Sequence, residues 1–117
     1  MTRVLCTLAD LDATGCKEIV LERDSGRFPV FVARFAGRIF GYANSCPHAR
    51  MPLNWREDEF FDVTGTFLFC TSHGAQFDPV TGNCICGPCK GQRLTTFLVR
   101  VEGETIVAEG AIIAPTQ

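Results

Sequence analysis

Cys46-Pro47-His48 and Cys70-Thr71-Ser72-His73 are the two stretches around which this 117-residue chain is arranged. Each offers one cysteine and one histidine, at C-x-H and C-x2-H spacing. Together they hold both histidines of the chain. Two thiolates and two imidazoles satisfy either a tetrahedral zinc ion or a 2Fe–2S cluster with cysteines on one iron and histidines on the other. Spacing favours the second. Zinc sites built from two ligand pairs commonly take like ligands from each pair, whereas here each loop carries one of each kind. A mixed pair lets each loop reach both irons of a binuclear centre, and residues 49–69 give the chain room to travel between the loops.

Outward from the loops the chain reads as strands and turns, with hardly a helical pattern. Arg3 to Leu8 is a short apolar segment, ended by Asp10-Leu11-Asp12 and Gly15. Cys16 to Glu22 alternates polar and apolar through Ile19 and Leu21, the period-2 pattern of a half-buried strand. Asp24-Ser25-Gly26 is a turn signal, and Phe28–Phe35 and Arg38–Tyr42 are β-rich runs joined through Ala36-Gly37 as a hairpin. These segments predict an antiparallel meander of four strands before the first loop.

Between Asn44 and about Leu94 the composition changes. Four of the six prolines and five of the seven cysteines fall there, so this part cannot be mostly sheet ladder. Short strands are expected at Thr66–Phe69 and around Gly82–Cys86. Leu94–Val101 and Glu104–Glu109 then form a second hairpin around Glu102-Gly103. The expected division is one domain over 1–117. Its β scaffold is about 1–43 and 94–110, its cluster-binding part about 44–93, and the tail from Ala111 to Gln117 frays.

Composition excludes several functions. Hydrophobic residues at 46% and charged residues at 21% describe an ordinary globular protein. A net charge of −2 offers no general affinity for nucleic acid or anionic membranes. MTRVLCTLAD lacks the apolar core of a secretory signal, and no run approaches the roughly 18 apolar residues of a transmembrane helix. A cytoplasmic location is the default expectation. Cysteines stay reduced there, so metal ligation is favoured over disulfides.

Taken with their neighbours, the loops resemble the Rieske motif, C-x-H followed by C-x2-H-G. Pro52-Leu53 matches the family's H-x-x-x-P-L, and Phe77-Asp78-x-x-Thr81-Gly82 its F-D-x-x-T-G turn. Gly87-Pro88 stands where the family places a third loop over the cluster. The similarity covers essentially the whole chain. It implies an all-β fold: a Rieske-like antiparallel β sandwich or partial barrel with a loop-rich cluster-binding subdomain. It also implies one 2Fe–2S cluster, with Cys46 and Cys70 on the buried iron and His48 and His73 on the outer one. Pro47, Gly74 and Pro88 then serve tight turns that aim backbone N–H groups at sulfur.

Departures from the family carry information too. Rieske proteins of respiratory cytochrome complexes add a disulfide-forming cysteine to each loop, where this chain has Met51 and Ser72. That disulfide is therefore expected to be absent. The same proteins place serine and tyrosine hydroxyls after the second histidine, where this chain has Ala75 and Phe77. Fewer donors to sulfur stabilise the added electron less, which lowers the potential.

Cys84, Cys86 and Cys89 form a C-x-C-x2-C cluster. With no histidine left to join them, they read as small buried hydrophobes rather than a second metal or redox site, and Cys84 and Cys86 should share a strand face. Cys6 and Cys16 are remote from them in sequence. Arg50 reads equally as a solvated side chain or a guide for a redox partner. Trp55 reads as packing rather than an electron relay, Arg56–Glu59 as a solvated turn, and the ten phenylalanines as mostly core.

No G-x-G-x-x-G marks a nicotinamide or flavin site, and no further histidine–carboxylate set marks a mononuclear iron. The family resemblance implies an electron carrier, not an enzyme: a ferredoxin taking electrons from a flavin-dependent reductase to a terminal oxygenase, of low potential by the departures above. Net charge and hydropathy give the expectation of no nucleic-acid or membrane partner. Two rivals are a permanently bound electron-transfer subunit of a larger oxidoreductase and a structural zinc module for protein interaction.

Overall fold

The computed structural model of the protein describes residues 2–23, 26–45, 52–54, 58–71, 74–88 and 90–109. The described residues are all-β apart from one 3-10 turn at Leu8–Leu11. Among the described residues, ten strands form three antiparallel sheets, none of which closes into a barrel. Strands β2 (Cys16–Arg23), β3 (Gly26–Phe35) and β4 (Arg38–Ala43) form a meander, extended by the two-residue β8 (Thr96–Phe97). Strands β1 (Thr2–Thr7), β10 (Thr105–Glu109) and β9 (Val99–Glu102) form a second sheet. The third is β5 (Leu68–Phe69), β6 (Gln76–Phe77) and β7 (Cys84–Cys86).

The turn between β3 and β4 shows why the meander takes its register. Phe35 pairs with Arg38, leaving Ala36 (φ 53°) and Gly37 (φ 77°) as a two-residue turn with both residues left-handed. That twist matches the right-handed twist of the strands it joins. From there β3 runs through the middle of the molecule, with Val30 to Ala33 all buried. Alternation sends Phe31 and Ala33 to one core and Val32 to another. The Val32 core, with Cys6, Leu11 and Ile106, lies against the β1-β10-β9 sheet. The Phe31 core reaches Leu53, Phe60, Leu68, Cys70, Ala75, Phe77, Cys84 and Leu94. Phe31 stacks on Phe60 with centroids 3.9 Å apart, joining the meander to the loop-rich half.

Several expectations need correction. Four strands do precede the first loop, but only three form the meander, because β1 pairs with β10 at the other end of the chain. Leu94–Val101 is not one strand. The chain leaves β4 after Phe97 and joins β10 from Val99, with Leu98 72% exposed at the break. Of the ten phenylalanines, Phe31, Phe60 and Phe77 are fully buried and the other seven only in part. Arg56–Glu59 is not simply a solvated turn. Asp58, half-buried at φ 64°, accepts the Glu18 backbone N–H at 2.7 Å and lies 3.4 Å from Lys17 Nζ. Arg56 and the tail from Ala111 lie outside the described residues.

Candidate metal centre

The second Cys/His loop leaves the end of β5 and returns at β6. The Cys70 N–H donates to the Ala75 carbonyl (2.9 Å), and the Gly74 N–H donates to the Cys70 carbonyl (2.8 Å). This tight closure needs a left-handed residue, and Gly74 supplies it at φ 72° without the steric cost of a side chain. Cys70 is fully buried, in the same core as Leu53, Ala75 and Phe77.

The Gly-Pro segment lies directly on this loop. A Cβ on Gly87 (φ 106°) would fall 2.7 Å from the Ala75 Cα, closer than any side chain tolerates. Gly87 is therefore a close-approach glycine. It brings the exposed Gly87-Pro88 turn onto the backbone that carries Cys70.

The first loop is described at its ends. The Asn44 backbone N–H donates to the Pro29 carbonyl (2.9 Å), which anchors the exit of β4 to β3. Its side chain, 2% exposed, accepts the Leu53 N–H on Oδ1 at 2.9 Å, drawing together positions 44 and 53. Asn44 Nδ2 donates to Glu18 Oε2 (3.2 Å) and Asn54 Oδ1 (3.0 Å), and Asn54 Nδ2 donates to Glu18 Oε1 (3.0 Å). Leu53 also holds the second loop, because its carbonyl accepts the Thr71 N–H and the Thr71 hydroxyl, each at 2.9 Å. The segments flanking both loops thus meet at Leu53.

The Phe77-Asp78-x-x-Thr81-Gly82 turn sits at the far end of β6 from Cys70. Asp78 Oδ1 accepts the Val80 and Thr81 N–H groups, and Tyr42 donates its hydroxyl to the Pro79 carbonyl at 2.7 Å. Gly82 (φ 80°) abuts the Tyr42 ring.

Of the four expected ligands, Cys70 is described; Cys46, His48 and His73 lie outside the described residues, as do Arg50, Met51, Trp55, Ser72 and Cys89. The remaining cysteines sort by chemistry. Burial pushes the Cys16 thiol up to about 12. Burial and then the Asp10 charge push Cys6 up to about 11, so neither is a thiolate at neutral pH. Cys84 is 5% exposed and donates Sγ–H to the Cys86 carbonyl at 3.3 Å. Cys86 is exposed, against expectation. The register shifts between Gln76 and Phe77, so Ile85 is the extra residue of a bulge and the two thiols no longer share a face. Ala75 and Phe77 are both fully buried, and neither brings a hydroxyl to this core. A buried thiol on a tight loop, with a glycine turn packed on the Ala75 end of that loop, fits an anionic iron–sulfur cluster.

The contacts that sequence reading missed are those joining Glu18, Asn44 and Asn54. The available signal was Asn44 itself, an amide directly after the apolar end of β4 and two residues before Cys46.

Comparison with known proteins agrees with this geometry. The model of the Rieske [2Fe-2S] domain matches residues 3–108. The ferredoxin component of the naphthalene 1,2-dioxygenase system of Pseudomonas aeruginosa is 29% identical over 73 residues. That match covers 62% of this chain and 64% of the relative's length. The ferredoxin of carbazole 1,9a-dioxygenase from Nocardioides aromaticivorans IC177 superposes with a TM-score of 0.70 at 24% identity, over 92% of this chain and 96% of that one. The plasma membrane Rieske protein of Synechocystis PCC 6803 gives 0.64 at 26% identity, over 92% and 99%. Among the described residues no helix is long and apolar enough to cross a membrane. The chain belongs to the Rieske [2Fe–2S] domain family, and its cofactor is a 2Fe–2S cluster.

Proposed function

We propose that this protein is a one-electron carrier, a low-potential ferredoxin of the cytoplasm that takes electrons from a flavin-dependent reductase and delivers them to a terminal oxygenase, without itself being an enzyme. The observation that carries the reading is the family match over 3–108, a span that includes both Cys/His loops. Cys46 and Cys70 would hold the buried iron and His48 and His73 the outer one, within a cluster-binding part at about 44–93 set on a scaffold of about 1–43 and 94–110. When bound, the cluster supplies a one-electron couple.

The chain's own contribution is positional. Full burial of Cys70 keeps water from its sulfur, and the Gly74 turn and the Gly87 contact with Ala75 keep the loop compact. Pro52, Gly74, Gly87 and Pro88, all close in sequence to the expected ligand loops or the Gly-Pro turn, are exposed and uncharged, so a redox partner can approach them without stripping water from charges. In a carbazole 1,9a-dioxygenase system, a solved complex contains reduced oxygenase and oxidised ferredoxin. That precedent supports the choice of acceptor class.

Metal and sulfide analysis with a dithionite titration tests the reading. Two irons and two acid-labile sulfides per chain, bleached by one electron, are expected. A colourless protein with one zinc would overturn it.

A further inference from the structure

The hydrogen bonds among Glu18, Asn44 and Asn54 obey a donor–acceptor parity that assigns Glu18 a role. The Leu53 backbone N–H is a donor, so Asn44 must turn Oδ1 toward it. Asn44 Nδ2 then offers its two protons to Glu18 Oε2 and Asn54 Oδ1. Asn54, having turned its oxygen to Asn44, presents Nδ2 to residue 18, where Glu18 Oε1 accepts it. Residue 18 therefore receives one donor on each oxygen. An ionised carboxylate has two acceptor oxygens and no proton, whereas an amide has one of each kind. With glutamine at 18, every choice of amide orientation leaves two N–H groups facing each other or leaves the Leu53 N–H without its acceptor.

The partners lie at sites that matter. Asn44 is two residues before Cys46, Asn54 follows Leu53, and Leu53 in turn holds Thr71, the neighbour of Cys70. Glu18 is on β2, a strand that carries none of the expected ligands.

We infer that Glu18 is a positioning residue for the cluster: its carboxylate clamps Asn44 and Asn54, and through Leu53 sets the described ends of the first loop against the second. The inference rests on the proposed cluster reading and deepens it. It also makes a rescue possible. In the double variant Glu18→Gln with Asn54→Asp, the introduced glutamine turns its oxygen to the Asn44 amide and donates its own N–H to the introduced carboxylate. That carboxylate keeps a second oxygen for Asn44, so parity is restored and the charge is conserved.

The test uses the cluster-loaded full chain. Three readouts apply: the EPR g-values of the reduced protein, the rate of iron release to a chelator, and hydrogen exchange in peptides containing Leu53 and Thr71. E18Q should shift the g-values and speed iron release and exchange about tenfold, roughly the worth of one hydrogen bond to a charged acceptor at a part-buried site. The double variant should return all three toward wild type. Wild-type behaviour in E18Q, or a double variant no better than E18Q, overturns the inference. Should E18Q not fold, recovery of soluble loaded protein in the double variant supports it and continued failure refutes it. Failure of the cluster reading is distinguishable, because wild-type protein would then show no iron–sulfur EPR signal; the inference would fall with it.

Discussion

The Tyr42 hydroxyl donates a 2.7 Å hydrogen bond to the Pro79 carbonyl, so a core residue of β4 pins the turn that reverses the chain between β6 and β7. Burial pushes the Tyr42 phenol well above its usual range, which keeps it a neutral donor. Tyr42→Phe leaves the ring packing and removes the bond. It should cost about 1 kcal/mol, read as a lower denaturation midpoint in urea, with iron content unchanged.

Gly87→Ala is expected to be more damaging, because it meets two obstacles together. The new methyl would lie 2.7 Å from the Ala75 Cα, and φ 106° disfavours any side chain. The strain is on the order of 1–3 kcal/mol. Since the contact joins the Gly-Pro turn to the Cys70 loop, the variant should lose iron and sulfide per chain at a temperature where wild type retains both. Equal retention would mean that the turn does not cover the centre.

Alkali should weaken the fold through Cys16. Burial raises this thiol from about 9 in the unfolded chain to about 12 in the folded one. A raised folded value contributes stability that is fully present below pH 9 and is lost as pH rises toward 12. Unfolding in urea at about pH 8 and about pH 10.5, on either side of the unfolded value, should therefore show a decline that is shallower in Cys16→Ala. Parallel declines would show that other groups dominate.

The lack of a hydroxyl at Ala75 and Phe77, after the second loop, leads to an expected potential. With Ala75 and Phe77 at the positions where high-potential relatives have hydroxyls, the midpoint should lie toward the low end of the roughly −150 to +300 mV Rieske span. Protein-film voltammetry reads it directly. A midpoint well above zero would contradict the tuning argument.

The family and the strands β2 to β4 are legible in the sequence for physical reasons. Period-2 alternation and a two-residue turn are local signals, and Pro52-Leu53, Gly74 and Gly87-Pro88 stand at fixed offsets from the loops. What is not legible is non-local. Glu18 lies 26 residues from Asn44 and 36 from Asn54, and nothing in an alternating strand marks one glutamate as a clamp. Leu94–Val101 reads as one strand because it is rich in β-branched and large apolar residues with no turn signal in it, while the change of sheet at Leu98 is a tertiary event. Asp58 hides in a charged run whose composition looks solvated, yet its carboxylate caps a backbone N–H of β2. The exposure of Cys86 goes with a bulge at Ile85 that shows only in the pairing of β7 with β6.

The pairing of β1 with β10 has a consequence for the order in which the molecule is assembled. Thr2 opposes Glu109 and Thr7 opposes Thr105, so this sheet joins segments separated by nearly the whole chain. Closing so long a loop is entropically costly, and pairings of this kind form late. On a ribosome the meander β2-β3-β4 can form while the rest is still being made. β1 must wait for β10 to emerge, so a strand made before the meander finds its partner only after the meander is complete.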